Sequence, residues 1–272
     1  MVDPACRVER TAWRDGERLA GCRTIPEETA VAFTYNGTSY AVMMATPQDL
    51  EDFAVGFSLT EGIIRSPSEI ETLNILEHRI GIELQMRLTE PPATAFIERR
   101  RYLAGPTGCG LCGIETLTEA MRVPAAVVDD SIFAPEEIMT AVGALHRQQA
   151  INKMTHAVHA AALYRKGEGL VTLREDVGRH NALDKLAGAI ARKGSSGRGG
   201  LCTLTSRLSV ELVQKAAAIG IPVLVAVSAP TALAVRTAEA SGITLVAVAR
   251  NDGFEIFTSP QRIREEQAHV LV

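Results

Sequence analysis

Two thiols three positions apart, Cys109 and Cys112, sit in the stretch Gly105-Pro106-Thr107-Gly108-Cys109-Gly110-Leu111-Cys112-Gly113. Glycine opens backbone angles closed to other residues and leaves a neighbouring sulfur uncovered. Ile114 to Met121 carries a short helical pattern, which sets the thiols near a helix N-terminus, where thiolate is favoured over thiol. Such a pair is fitted for sulfur chemistry, and four kinds compete. A structural zinc site wants two more thiols or histidines at matching spacing, and the chain has no second Cys-x-x-Cys. A nucleobase deaminase would show His-x-Glu upstream of Pro-Cys-x-x-Cys, but the nearest upstream histidine, His78, is followed by Arg79-Ile80. A dithiol oxidoreductase stays open, although that motif usually opens a long helix directly after a strand, with fewer glycines. The fourth is sulfur relay, in which a thiolate accepts sulfane sulfur as a persulfide and hands it on.

The rest of the chain must position these thiols and supply something for them to meet. Its 272 residues are enough for one large domain or two modest ones. A net charge of -4 and 4% aromatic content give no electrostatic or stacking basis for nucleic-acid binding. Met1 to Arg10 is charged, so no signal peptide is expected, and no later run would span a bilayer. Five cysteines, an odd number, argue against a disulfide scaffold; Cys6, Cys22 and Cys202 read as thiols without a role.

In chain order, Met1 to Ile25 is polar and is expected to be loose. Thr29 to Tyr35 and Thr38 to Met44, joined by Asn36-Gly37, predict a hairpin. Thr46-Pro47-Gln48-Asp49 reads as a cap, a proline at the first helical position and an acid in the first turn, opening a helix that Gly62 ends. Strands follow at Glu71 to Glu77 and Gly81 to Leu88, which makes this half a small α+β unit. Glu98-Arg99-Arg100-Arg101 is either a solvated linker or a basic arm steering an anionic ligand or an acidic partner towards Cys109. The loop Lys193 to Gly200 is a flexible turn without the ending of a phosphate loop.

The second half alternates short apolar strands (169–173, 201–205, 223–227, 245–249) with helical patterns (181–192, 209–219, 231–240), which predicts a largely parallel sheet covered by helices. In such sheets ligands bind beyond the carboxyl ends of the strands. Those ends carry Glu175-Asp176 with Arg179-His180, Thr205-Ser206-Arg207, Ser228 to Thr231, and Arg250-Asn251-Asp252-Gly253. Arginine forks and helix N-termini suit phosphate, so this edge reads as an anion site for a nucleotide-like ligand. The bland alternatives are that His180 only caps a helix and that Arg207 and Arg250 form surface ion pairs. His156 and His159, three apart on an expected helix or turn, have the spacing for a metal, but no third ligand is near and none is assigned.

Taken together, Cys109-Gly-Leu-Cys-Gly113, Asn36-Gly37, Ala41 to Asp52, Glu61 to Ile64, His159-Ala160-Ala161, Glu175-Asp-Val-Gly-Arg-His180 with Asp184-Lys185, Ser206-Arg207, Glu211 to Ala216, Ser228 to Val235 and Thr244 to Val246 resemble the formate dehydrogenase accessory sulfurtransferases of the FdhD family over nearly the whole chain. The resemblance implies a cytidine-deaminase-like α/β fold without zinc chemistry and a smaller N-terminal α+β subdomain. The division expected is 1–104, a Cys-x-x-Cys loop with a short helix at 105–124, and a cofactor-binding domain at 125–272. It also implies a cytoplasmic homodimer that takes sulfur from a cysteine desulfurase and passes it to the bis-molybdopterin guanine dinucleotide molybdenum cofactor of formate dehydrogenase. Cys109 would carry the persulfide and Cys112 would assist. The cofactor would be bound by Val248, Ala249, Arg250, Asn251, Asp252 and Gly253, with Arg207, Ser228, His159, Asp176 and His180. Two positions differ from the usual family pattern: His156 stands where relatives have glycine, and Val248-Ala249 replaces a pair with an aromatic. A rival reading is a cofactor chaperone whose thiols do no chemistry.

Overall fold

The computed structural model describes residues 2–90, 92–93 and 124–265. Cys109 and Cys112, the helical pattern behind them, the basic run at Glu98 to Arg101, and all but the last residue of the expected 105–124 segment lie outside the described residues.

The N-terminal stretch is not loose. β1 (Ala5–Arg14) and β2 (Glu17–Pro26) form an antiparallel hairpin in unbroken register. Its turn, Asp15-Gly16, has both φ angles positive, at 52° and 81°, as a type I′ turn requires. β3 (Thr29–Tyr35) and β4 (Thr38–Ala45) make the expected hairpin through Asn36-Gly37, with φ of 49° and 76°. With β5 (Ile70–His78) and β6 (Gly81–Leu88) they build a four-stranded sheet in the order β4-β3-β6-β5, where β3 and β6 run parallel. Alternation puts Val31, Phe33, Tyr35, Ile82, Leu84 and Met86 on one face, and α1 (Leu50–Thr60) covers it. Phe33 stacks on Phe57 at 4.1 Å between ring centroids and meets Phe53 edge-on at 4.9 Å. The expected cap is different in the structure. Asp49, left-handed at φ 55°, precedes α1 and caps it with no side-chain hydrogen bond, while Thr46 is fully buried with partners elsewhere.

The larger sheet has the order β12-β11-β10-β9-β7-β8. β9 (Gly200–Leu204), β10 (Val223–Ala226) and β11 (Thr244–Arg250) pair parallel. β7 (His159–Arg165) runs antiparallel to β9 and to β8 (Gly169–Asp176), so β8 points the same way as β9. β12 (Gly253–Ile256) is an antiparallel edge. Along the central strands, residues alternate between two clusters. Cys202, Leu204, Leu224, Ala226, Leu245 and Ala247 face one side, where helices α4 (Arg179–Arg192), α5 (Val210–Ala218) and α6 (Ala232–Ala240) connect successive parallel strands. Leu201, Val223, Val225 and Val246 face the other, under α2 (Pro135–Gln148), which is followed by the short α3 (Ala150–Thr155). The architecture is therefore mixed α/β with a largely parallel central sheet. α3 ends at Thr155, and His156 closes it in the left-handed conformation at φ 55°, donating its N–H to Asn152 O. The helix-or-turn expected at Thr155 to His159 is thus a helix end running into β7.

Helix α1 lies against α4 with almost nothing between the backbones. A Cβ on Gly56 would fall 1.7 Å from Asp184 O, and one on Gly188 1.8 Å from Asp52 O. Around this contact charged side chains meet their counter-charges, most of them buried. Lys185 Nζ stands 2.6 Å from Asp176 Oδ2, both fully buried, and donates to Thr46 O at 2.8 Å. Lys215 reaches Glu61 at 2.8 Å and Asp184 at 3.0 Å. Arg174 and Arg192 both hold Asp52, at 2.6 and 2.7 Å. Burial opposes the charge on Lys215, but Asp184 and Glu61 outweigh it and raise its pKa. Such pairs add little net stability when intact, yet removing one partner costs roughly 3–5 kcal/mol.

Candidate ligand-binding edge of the large sheet

Because β8, β9, β10 and β11 point the same way, their carboxyl ends form one edge, and β7 starts there. The register places His159 opposite Asp176. Main-chain bonds then lace the loops into a continuous rim: Thr205 N to Ala160 O at 3.2 Å, Val227 N to Leu204 O at 3.1 Å, Thr231 N to Leu208 O at 2.9 Å, and Val248 N to Ser228 O at 3.3 Å. The N-termini of α4, α5 and α6 open on this rim. Thr231 caps α6 through its hydroxyl, which accepts from Ala234 N. α4 begins after Gly178 and α5 after Ser209, and neither has a side-chain cap. The α4 end therefore keeps N–H groups for something else, whereas at the α5 end the Glu211 carboxylate accepts from its own N–H and from Ser209.

The residues expected to bind a ligand divide into two sets. Asp176 belongs to the interior. Its carboxylate accepts from Thr46 N, Gly178 N and Asn181 Nδ2 at 3.0, 2.7 and 2.9 Å, and pairs with Lys185. It fixes the Thr46 turn and the start of α4. The remaining residues lie along the rim, all but Ala249 at least partly exposed. Arg207 is exposed and has no ion-pair partner among the described residues; Ser206 Oγ donates to its carbonyl at 3.0 Å. Ser228 is half-buried, and Arg250, Asn251 and Asp252 are exposed around the β11–β12 turn that Gly253 completes at φ 142°. Val248, φ 53°, is left-handed, an outlier for a β-branched residue, and sits in a register shift between Ala247 and Arg250; Ala249 is buried.

The two histidines are held neutral. His180 Nε2 lies 3.5 Å from Ser209 Oγ and 3.9 Å from Glu211. Burial, and then the charges of Arg179 and Lys215, push its pKa down to about 4. Burial and Arg179 also lower His159, whose Nδ1 sits 3.4 Å from Thr205 Oγ1. Neutral imidazoles supply hydrogen bonds, and the positive charge comes from Arg207 and from Arg179, whose buried Nε has no partner among the described residues. The sequence reading placed Arg179 and Thr205 on this edge but not Ser209, whose position just before the helix after β9 was the available signal. No group of three or more His, Cys, Asp or Glu side chains able to hold a metal exists among the described residues. Cys202 is buried, which pushes its thiol up to about 12 and removes it from sulfur chemistry; Cys6 and Cys22 are free, on β1 and β2. No helix among the described residues is long and apolar enough to cross a membrane.

Residues 26–264 match the model of the FdhD/NarQ family. The chain is 54% identical over 259 residues to a sulfur carrier protein FdhD of Agrobacterium fabrum, covering 94% of this chain and 95% of that one. It is 50% identical over 264 residues to a sulfur carrier protein FdhD of Brucella abortus, covering 95% and 98%. The crystal structure of a formate dehydrogenase accessory protein from Desulfotalea psychrophila superposes with a TM-score of 0.73 at 28% identity, over 96% of this chain and 99% of that one. On these grounds the chain belongs to the FdhD/NarQ family.

Proposed function

We propose that this chain is a sulfurtransferase that accepts sulfane sulfur from a cysteine desulfurase and delivers it to a bis-molybdopterin guanine dinucleotide cofactor on its way to formate dehydrogenase. In this reading it works in the cytoplasm, as two copies, on a cytidine-deaminase-like fold. The observation that carries the acceptor half is the rim itself. The uncapped N-terminus of α4, Arg179, Arg207 and two histidines converge where four strands end, an arrangement suited to the phosphates of a nucleotide-bearing ligand. Val248 to Gly253 would hold its guanine end, with Ser228, His159 and His180 beside it.

The donor half rests on Cys109 and Cys112 and on the relatives named sulfur carriers. The Cys109 thiolate attacks the outer sulfur of the donor's persulfide. A new S–S bond forms on Cys109, the old one breaks, and the donor leaves as a thiolate. For release, the Cys112 thiolate attacks the inner sulfur. Hydrosulfide departs, and a Cys109–Cys112 disulfide remains for a cellular dithiol to reduce. Intact-mass measurement after incubation with a desulfurase and cysteine should show one added sulfur, lost in Cys109→Ala and kept in Cys112→Ala. Equal loading of Cys109→Ala would overturn the assignment. No loading of the wild type would favour a cofactor chaperone.

A further inference from the structure

The first hairpin is an arm with little to lean on. β1 and β2 pair over ten residues each, yet from Glu9 to Arg23 nearly every side chain is exposed, Trp13 at 72% and Leu19 at 46%. A two-stranded ladder alone is marginal in water. The arm is tied at its base, where Arg23 Nη2 donates to Thr155 O at 3.3 Å, and β2 lies against α3. The outer edge of β1 has no strand partner among the described residues.

The turn settles which backbone groups that edge presents. Arg14 and Glu17 flank the two-residue Asp15-Gly16 turn, so they exchange both hydrogen bonds, and alternation turns the N–H and C=O of Trp13, Thr11, Glu9, Arg7 and Ala5 outward. A long, open edge of this kind is a template for another strand. We infer that β1 pairs antiparallel with β1 of a second copy of this chain, across a two-fold axis at Val8. In that register Arg7 stands opposite the partner's Glu9, and Glu9 opposite the partner's Arg7. Both are outward-bonding residues with side chains on one face. Ala5 then meets the partner's Thr11, and no like charges meet. Moving the axis to Arg7 or to Glu9 sets arginine against arginine or glutamate against glutamate, so the charges favour the Val8 register over both neighbours. The same surface patch serves both copies, as a closed two-fold demands. The inference rests on the two-copy reading above. The family match begins at residue 26, so the arm lies outside it.

Sedimentation of the full chain over a range of concentrations tests the pairing. The wild type should dimerise. Glu9→Lys reverses two symmetry-related cross-strand pairs and should weaken dimerisation about tenfold, and combining Arg7→Glu with Glu9→Arg should restore it. Thr11→Pro removes an outward N–H without touching the β1–β2 ladder and should dissociate the dimer. A chain monomeric at every concentration would overturn both the two-copy reading and the arm's part in it. A dimer indifferent to both Glu9→Lys and Thr11→Pro would overturn the arm alone.

Discussion

The seam between α1 and α4 and the carboxyl edge of the large sheet are neighbours, both rich in ionisable groups, and they use them in opposite ways. In the seam every charge is answered at close range: Lys185 by Asp176, Lys215 by Asp184 and Glu61, Arg174 and Arg192 by Asp52. At the edge Arg207 is exposed, Arg179 Nε has no partner among the described residues, and the N-cap residues of α4 and α5 make no side-chain cap. Asp176 joins the two regions, at a strand end but facing inward. Saturated charges hold elements in place. Donors left open at an edge are free to meet a ligand.

Breaking the seam should cost the most. Lys185→Met leaves Asp176 buried beside the Thr46 and Asn181 donors without its cation, and should destabilise the fold by about 3–5 kcal/mol in urea unfolding. A loss below about 1 kcal/mol would show that Asp176 is satisfied by hydrogen bonds alone. Gly188→Ala should follow, at about 3 kcal/mol or somewhat less, because its methyl would meet the Asp52 carbonyl and force α1 away from α4.

His180 stands between the regions and gives a pH test. An unfolded histidine takes up its proton near pH 6.5, the folded one only near 4. Between those values the unfolded state binds more protons, so stability is full above about pH 6.5 and falls as pH drops towards 4. With its partial exposure discounted, the loss is on the order of 2 kcal/mol. His180→Gln should flatten that part of the profile, and an unchanged slope would assign the effect to His159 or elsewhere. The smallest stability change belongs to the rim. Arg207→Ala should stay within about 0.5 kcal/mol of wild type, while guanosine diphosphate binding, read by calorimetry, weakens about tenfold. Undiminished binding would leave Arg207 outside the site.

What could be read from the sequence depended on whether burial wrote a pattern. Asn36-Gly37 was legible as a hairpin because β3 alternates against a covered face. Asp15-Gly16 has the same turn chemistry, but its strands are exposed on both faces, so no apolar alternation announced them. β7 escaped because Ala160-Ala161-Ala162 favours helix, and only pairing on both sides by β8 and β9 holds it extended. The strand-end residues of the rim were legible because parallel sheets bind at that edge. The inward turn of Asp176 was not, since its cation, Lys185, lies nine positions on in a helix whose neighbours Leu183 and Leu186 are core. A charged pair within an apolar helical run was the signal for it.

The meeting of Gly56 and Gly188 bears also on how the molecule comes apart. The small sheet with α1 has its own apolar cluster and the large sheet has others, so two separate melting events would be natural. Yet peeling α1 from α4 while either half stays folded would strand Asp184 and Lys215 without Thr60 and Glu61, and Asp176 without Thr46. A half-opened form would thus lose these hydrogen bonds and expose the apolar surface around them to water. The backbone contact couples the two cores, so the chain should unfold in a single transition and leave no half-molecule for a protease to trap; two separate transitions would show that each half stands alone.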